Sequence, residues 1–401
     1  MNTNLKISPR AARYLLEGTA VLSLALLTAL VVMLHITRPP LAYSEQVATL
    51  EETVQARVLA VLREDSQPTP DGMVMVAQEL TLEILSRGDF EGQRVTVTYN
   101  GMGTTLDTAR FREGQRALMM IAQRPDGQTF YQMADKVRLW PLAIIGALFV
   151  GITAAVGRWQ GLRALIGLGL SGALIGGFVL PQILAHRDPV TVALAGMALL
   201  LAVTLYLIQG WNVIGHTATL SMLASLGFTG LLAVLWTRFT FLTGFGSEET
   251  MFLQAVGVTL DMRGLLLAGM IIGAAGVLDD VVLAQAVTVF ELARANPLSP
   301  WRRLYRQGMK VGVAHLASMV NTLVMAYAST ALPLFILFYL YPEPWYLTIN
   351  RELIAEEIIR TLVGSTGLML AVPFTTLVAA VVAVTQSPPR PATPESEPGD
   401  A

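Results

Sequence analysis

Residues 264–291 read GLLLAGMIIGAAGVLDDVVLAQAVTVFE. The stretch holds no Lys or Arg, and its only acids are Asp279, Asp280 and Glu291. About twenty apolar residues suffice to cross the hydrocarbon core of a bilayer. This is therefore a membrane-spanning helix with two carboxylates inside it. An ionised carboxylate at the centre of such a helix costs roughly 2.5–3.5 kcal/mol on insertion scales. A pair placed there, with no cation within its own helix turn, points to chemistry rather than packing. Two adjacent carboxylates in a low dielectric resist double ionisation. An acid that takes up and returns a proton is what proton-coupled transport requires. Upstream, Gly269, Gly273 and Gly276 sit at i, i+4 and i+7, a smooth stripe for close helix approach.

The next apolar stretch, 310–340, supplies polar neighbours. His315, Ser318 and Thr322 share one helix face there, with Asn321 beside it. A basic loop, 291–310, joins the two spans, so they run antiparallel. At 1.5 Å per residue, Asp279 and Asn321 then lie at matching depths, roughly 15 Å from the inner end. His315 is shallower, either a proton relay or an interfacial residue. Asn321 and Thr322 suit a pathway lining or helix–helix hydrogen bonding equally. The last stretch, 354–385, carries Glu356, Glu357 and Arg360 near its outer end. Glu356 and Arg360 either neutralise each other as i, i+4 partners, or Arg360 turns inward as a counter-charge. His216, in WNVIGHT, falls in an inner loop at the interface.

The chain has 401 residues, 53% hydrophobic and only 14% charged, against about 25% charged in a soluble domain. The expected fold class is an α-helical polytopic membrane protein in a lipid bilayer. Eight apolar runs, 12–35, 138–157, 161–184, 189–209, 217–240, 263–288, 310–340 and 354–385, are long enough to cross. The first is expected to stay as an uncleaved signal-anchor. Residues 251–260 are too short to cross. Lys6, Arg10, Arg13, Arg158, Arg163, Arg294, Arg302, Arg303, Arg306 and Lys310 fall on one side. The positive-inside rule makes that side cytoplasmic, together with both termini. The tail 387–401 is Pro-rich and polar and is expected to be disordered. A net charge of -2 offers nucleic acid no basic field. Cysteine is absent, which excludes disulfides, thiolate nucleophiles and Cys-held metals. No Walker lysine, HExxH or GxSxG motif is present. An enzyme is not expected, and no cofactor is implied.

Between the first two spans, residues 43–137 alternate as strands do: TVQARVLAVL, VMVAQELTLEIL, QRVTVTY, RALMMIA and TFYQMA. PTPDG, RGDFEG, NGMG and RPDG separate them as turns. Five short strands predict a small OB-like barrel outside the membrane. It serves as a structural cap or as a partner surface.

GAAGVLDDVVLAQAVTVFELARANP (273–297), RRLYRQGMKVGVAHLASMVNTLVMAYA (302–328) and IRTLVGSTGLMLAVPFTTLVAA (359–380) together resemble the YibE/F family. That resemblance implies a bacterial multispanning membrane protein and no established biochemistry. The run around Asp279 and Asp280 is also similar to the acid-bearing span of RND transporters and SecD/SecF. In those families membrane acids exchange protons to drive an outside domain. This chain departs from them in span number and in the small size of its outside domain. The similarity implies pairing with a second copy or a second membrane subunit. The leading expectation is a proton-coupled transporter or motor of the inner membrane, acting on a small molecule or polypeptide. The alternative is a non-transporting scaffold whose outside domain binds a partner.

Overall fold

The computed structural model describes residues 51–386 except 71, 87–89, 124–128 and 256–258, with isolated positions between 17 and 33. The expected signal-anchor, the RPDG turn and the tail 387–401 lie outside the described residues. Two compact units are present, Tyr43–Gly157 and Arg158–Ala401 with Met1–Ala42.

In the first unit, β1 (Glu51–Pro68), β2 (Val74–Ile84), β3 (Arg94–Gly103), β4 (Arg116–Gln123) and β5 (Thr129–Lys136) form one antiparallel sheet. The order is β3-β2-β1-β4-β5, and β3 and β5 approach each other, nearly closing a barrel. Register shifts near Val58 and Val61 bend the long β1, which pairs with β4 over Glu51–Arg57 and with β2 over Ala56–Pro68. A single helical turn, α1 (Leu106–Ala109), lies between β3 and β4, as in an OB-like barrel. Alternation sends Val54, Ala56, Val58, Leu80, Leu82, Met119 and Ile121 inward around Phe111.

All five expected strands form, but NGMG is not a turn. Asn100, Gly101, Met102 and Gly103 pair with Ala77, Val76, Met75 and Val74 and extend β3. The glycines serve close approach here. A Cβ on Gly101 would lie 2.1 Å from the Ala109 carbonyl oxygen, and one on Gly103 2.5 Å from Thr108 Oγ1.

The helical part comprises α2 (Leu139–Leu174), a π turn (Ile175–Val179), α3 (Leu180–Leu184), α4 (Pro189–Gln209), α5 (Val213–Phe239) and α6 (Glu248–Ala255). It continues with α7 (Met262–Ala295), α8 (Trp301–Thr330), α9 (Leu332–Leu340), α10 (Trp345–Asn350) and α11 (Glu352–Gln386). Six runs among the described residues are long and apolar enough to cross a membrane. The run Leu139–Leu184 consists of two helices that meet at Arg158, whose φ of 48 is not helical, between the expected spans 138–157 and 161–184. The expected span 310–340 differs too. Its helix begins at Trp301 and breaks at Ala331, because Pro333 cannot continue an α-helical ladder but suits a first turn. The long apolar helices, with Leu, Ile and Phe exposed along 139–152, make this a multi-pass membrane protein.

Candidate functional site

The acid-bearing helix α7 packs against α4, α5, α8 and α11. Its buried face is continuous, with Leu278, Val282, Ala286 and Val289 in one apolar core. Gln285 interrupts that face. Its Nε2 donates to the Gly308 carbonyl of α8 at 3.0 Å and to Thr376 Oγ1 of α11 at 2.6 Å. Two glycines let α8 come this close. A Cβ on Gly308 would lie 2.8 Å from Val289, and one on Gly312 2.5 Å from Val372.

These contacts set the helix register. Gln285 to Asp279 is the same sequence interval as Gly312 to Ser318, so the expected match in depth between the acids and the polar residues of α8 holds. The facing does not. His315, Ser318, Asn321 and Thr322 lie on the exposed side of α8, and Thr322 Oγ1 donates to the Ser318 carbonyl of its own helix. The face turned to the bundle carries Leu316 and Leu323.

Asp279 is partly buried and lines a cavity of about 300 Å³ among α2, α4 and α7. Gly167, Ser171, Met197, Leu201, Thr204 and Gly276 share that lining. Asp279 Oδ1 is buried and has no hydrogen-bond partner among the described residues. Ser171 and Thr204 donate to the carbonyls of Gly167 and Leu201 in their own helices, which leaves their oxygens free to accept. The π turn begins at Ile175, itself part of the lining, and such turns recur at functional sites. Asp280, about 100° around the helix, is exposed. Among the described residues no Lys or Arg pairs with either acid.

Among the described residues, the glycine stripe of α7 is not a close-packing surface. Nothing approaches a Cβ built on Gly269 or Gly276, and only the Tyr327 hydroxyl, at 3.5 Å, meets one on Gly273. The expected Glu356–Arg360 pair is also replaced. Arg360 pairs with Glu357, while Glu356 is buried and accepts from the Gly246 amide at 3.1 Å. Glu352 accepts from the amides of Thr243 and Gly244 at 2.5 and 2.8 Å. The α5–α6 loop is thereby clasped to the start of α11. The Gln285–Thr376 bond places Arg360 level with Gly269, about 15 Å along the helix from Asp279, so it is no counter-charge for the pair. His216 is buried rather than interfacial. Asn212 caps α5 by accepting from the Gly215 amide, which puts His216 in the first turn, 3.1 Å from the Tyr206 hydroxyl and edge-on to Trp211.

Sequence reasoning passed over Gln285 and the Gly308–Gly312 pair. The signal was present: an amide in an apolar run, and two glycines four residues apart in the next helix. No curated protein and no solved structure matches the chain, so the similarity to RND transporters gains no support from them. A family model described as YibE/F-like protein matches residues 145–385, which include every helix around the acid pair, and the chain belongs to that family.

Proposed function

We propose that this protein is a proton-coupled transporter or motor in which Asp279 is the proton carrier and Asp280 its electrostatic neighbour. The observation that carries this reading is the unpartnered Asp279 Oδ1 beside a cavity in the membrane bundle. An unpaired buried carboxylate is expensive unless its charge changes during function. Taking up a proton removes that charge, and the preferred distance between α2 and α7 changes with it. In this reading the inner membrane holds the chain with both termini cytoplasmic and the β unit outside. Support comes from Arg294, Arg302, Arg303, Arg306 and Lys310 around the α7–α8 turn, against Glu248, Glu249 and Glu343 at the opposite end.

The test is proton flux into liposomes carrying the purified protein and an internal pH dye. Asp279→Asn should abolish flux while expression and thermal stability stay normal. Wild-type flux in the Asp279→Asn, Asp280→Asn double variant would refute the reading. A flux that follows a sodium gradient instead would reassign the same oxygens to Na⁺. A scaffold would show no flux in any variant, and its activity would vanish on deletion of residues 45–136.

A further inference from the structure

The β unit carries a feature that proton coupling does not use. The β1–β2 ladder ends at the Pro68–Val74 pair. Just beyond it the Thr69 amide donates to the Met73 carbonyl at 2.8 Å and the Met73 amide to Thr69 Oγ1 at 3.2 Å, which holds Met73 in an extended approach to β2, two residues before Met75. Met75 is paired directly with Met102 of β3, and directly opposed residues share a face with Cβ atoms about 4.5–5.5 Å apart. The three are 41%, 47% and 59% exposed, while Val76 and Leu80, one strand position out of phase, are buried. Three exposed methionines, two of them cross-strand partners, are therefore gathered at the β1–β2 turn end of the barrel.

Thioether sulfur is neutral and polarisable, and the unbranched Met side chain adapts its reach through three rotatable bonds. Soft sulfur ligands select Cu(I) over hard cations such as Mg²⁺ or Ca²⁺. Asp65 lies two ladder rows from Met75, opposite Ala77. It borders a hollow of about 180 Å³ that Met75 also lines, and it places a negative charge near a bound cation. With no cysteine in the chain, no thiolate competes for such an ion. We propose that Met73, Met75 and Met102 form a binding site for a soft monovalent metal ion, Cu(I), on the β unit. The site is independent of the acid pair and of the proposed transport.

The experiment uses the full-length chain in detergent, titrated calorimetrically with Ag(I), a redox-stable stand-in for Cu(I). One Ag(I) per chain is expected. Met75→Leu should weaken it at least about tenfold, and the Met73→Leu, Met75→Leu, Met102→Leu triple variant should abolish it. Leucine keeps the apolar surface and removes only the sulfur, so a patch that serves as an apolar docking face would leave the titration unchanged between wild type and triple variant. That result, or no binding by the wild type, overturns the proposal. Should the triple variant fail to fold, X-ray absorption of the Cu(I)-loaded wild type decides: a sulfur-only first shell supports the site, and an oxygen or nitrogen shell overturns it.

Discussion

Gly312 and Gly269 are both glycines in spanning helices, and the structure gives them opposite weight. A Cβ at Gly312 would run into Val372 at 2.5 Å and Gln285 Oε1 at 2.8 Å, whereas nothing lies within 4 Å of one at Gly269. Gly312→Val should therefore destabilise the detergent-solubilised protein by about 1–3 kcal/mol, read as a lowered midpoint of thermal unfolding. Gly269→Ala should leave that midpoint unchanged. The sequence invites the reverse ranking, since the acid pair draws attention to the glycines of its own helix. Residue spacing identifies a smooth face but not which face a partner helix meets. The same blindness explains Asn321 and Thr322. Their depth follows from counting residues, but their direction depends on α8 docking through Gly308 and Gly312, a tertiary contact whose partner helix the local pattern does not name.

At the scale of elements, the strands were the most legible part, because alternation of apolar and polar residues is a local property. The failure at NGMG has a local cause as well. Asn-Gly normally closes a hairpin, whereas here pairing with β2 continues through it while α1 packs over Gly101 and Gly103. That corner of the barrel is also held by exposed charges. Arg112 and Arg110 hold the Asp107 carboxyl below the usual carboxylate range, and Arg138 with the Lys136 amide does the same for Asp135. A carboxylate with a depressed native pKa contributes stability that is complete above its unfolded value, about 3.9, and is lost as pH falls through the native one. The β unit should thus keep a constant unfolding midpoint from neutral pH to about 5 and lose stability below about 4. Asp107→Asn with Asp135→Asn should flatten that acid limb in circular dichroism melts. Both acids are exposed, so molar salt should shrink the effect.

For the molecule as a whole, membrane residence is readable from apolar length, while the cavity is not, since it arises where α2 stands away from α4 and α7. Its walls do touch at one point: a Cβ on Gly167 would lie 3.6 Å from Thr204 Cγ2. The natural chain has no cysteine, so cysteines placed at Gly167 and Thr204 would form the only possible intramolecular disulfide. Oxidation should stop proton flux in the double variant, and reduction should restore it. Unimpaired flux in the fully oxidised protein would mean that α2 and α4 do not separate during the cycle.

The clasp of Glu352 and Glu356 on the α5–α6 loop has a mechanical corollary. With Thr376 bonded to Gln285, α11 behaves as a beam pinned near its outer end and again towards its inner half. A beam held at two points cannot pivot, and it immobilises the helices it is pinned to. In the proposed cycle, displacement on protonation falls to the opposite wall, where the π turn at Ile175–Val179 is the joint best able to flex.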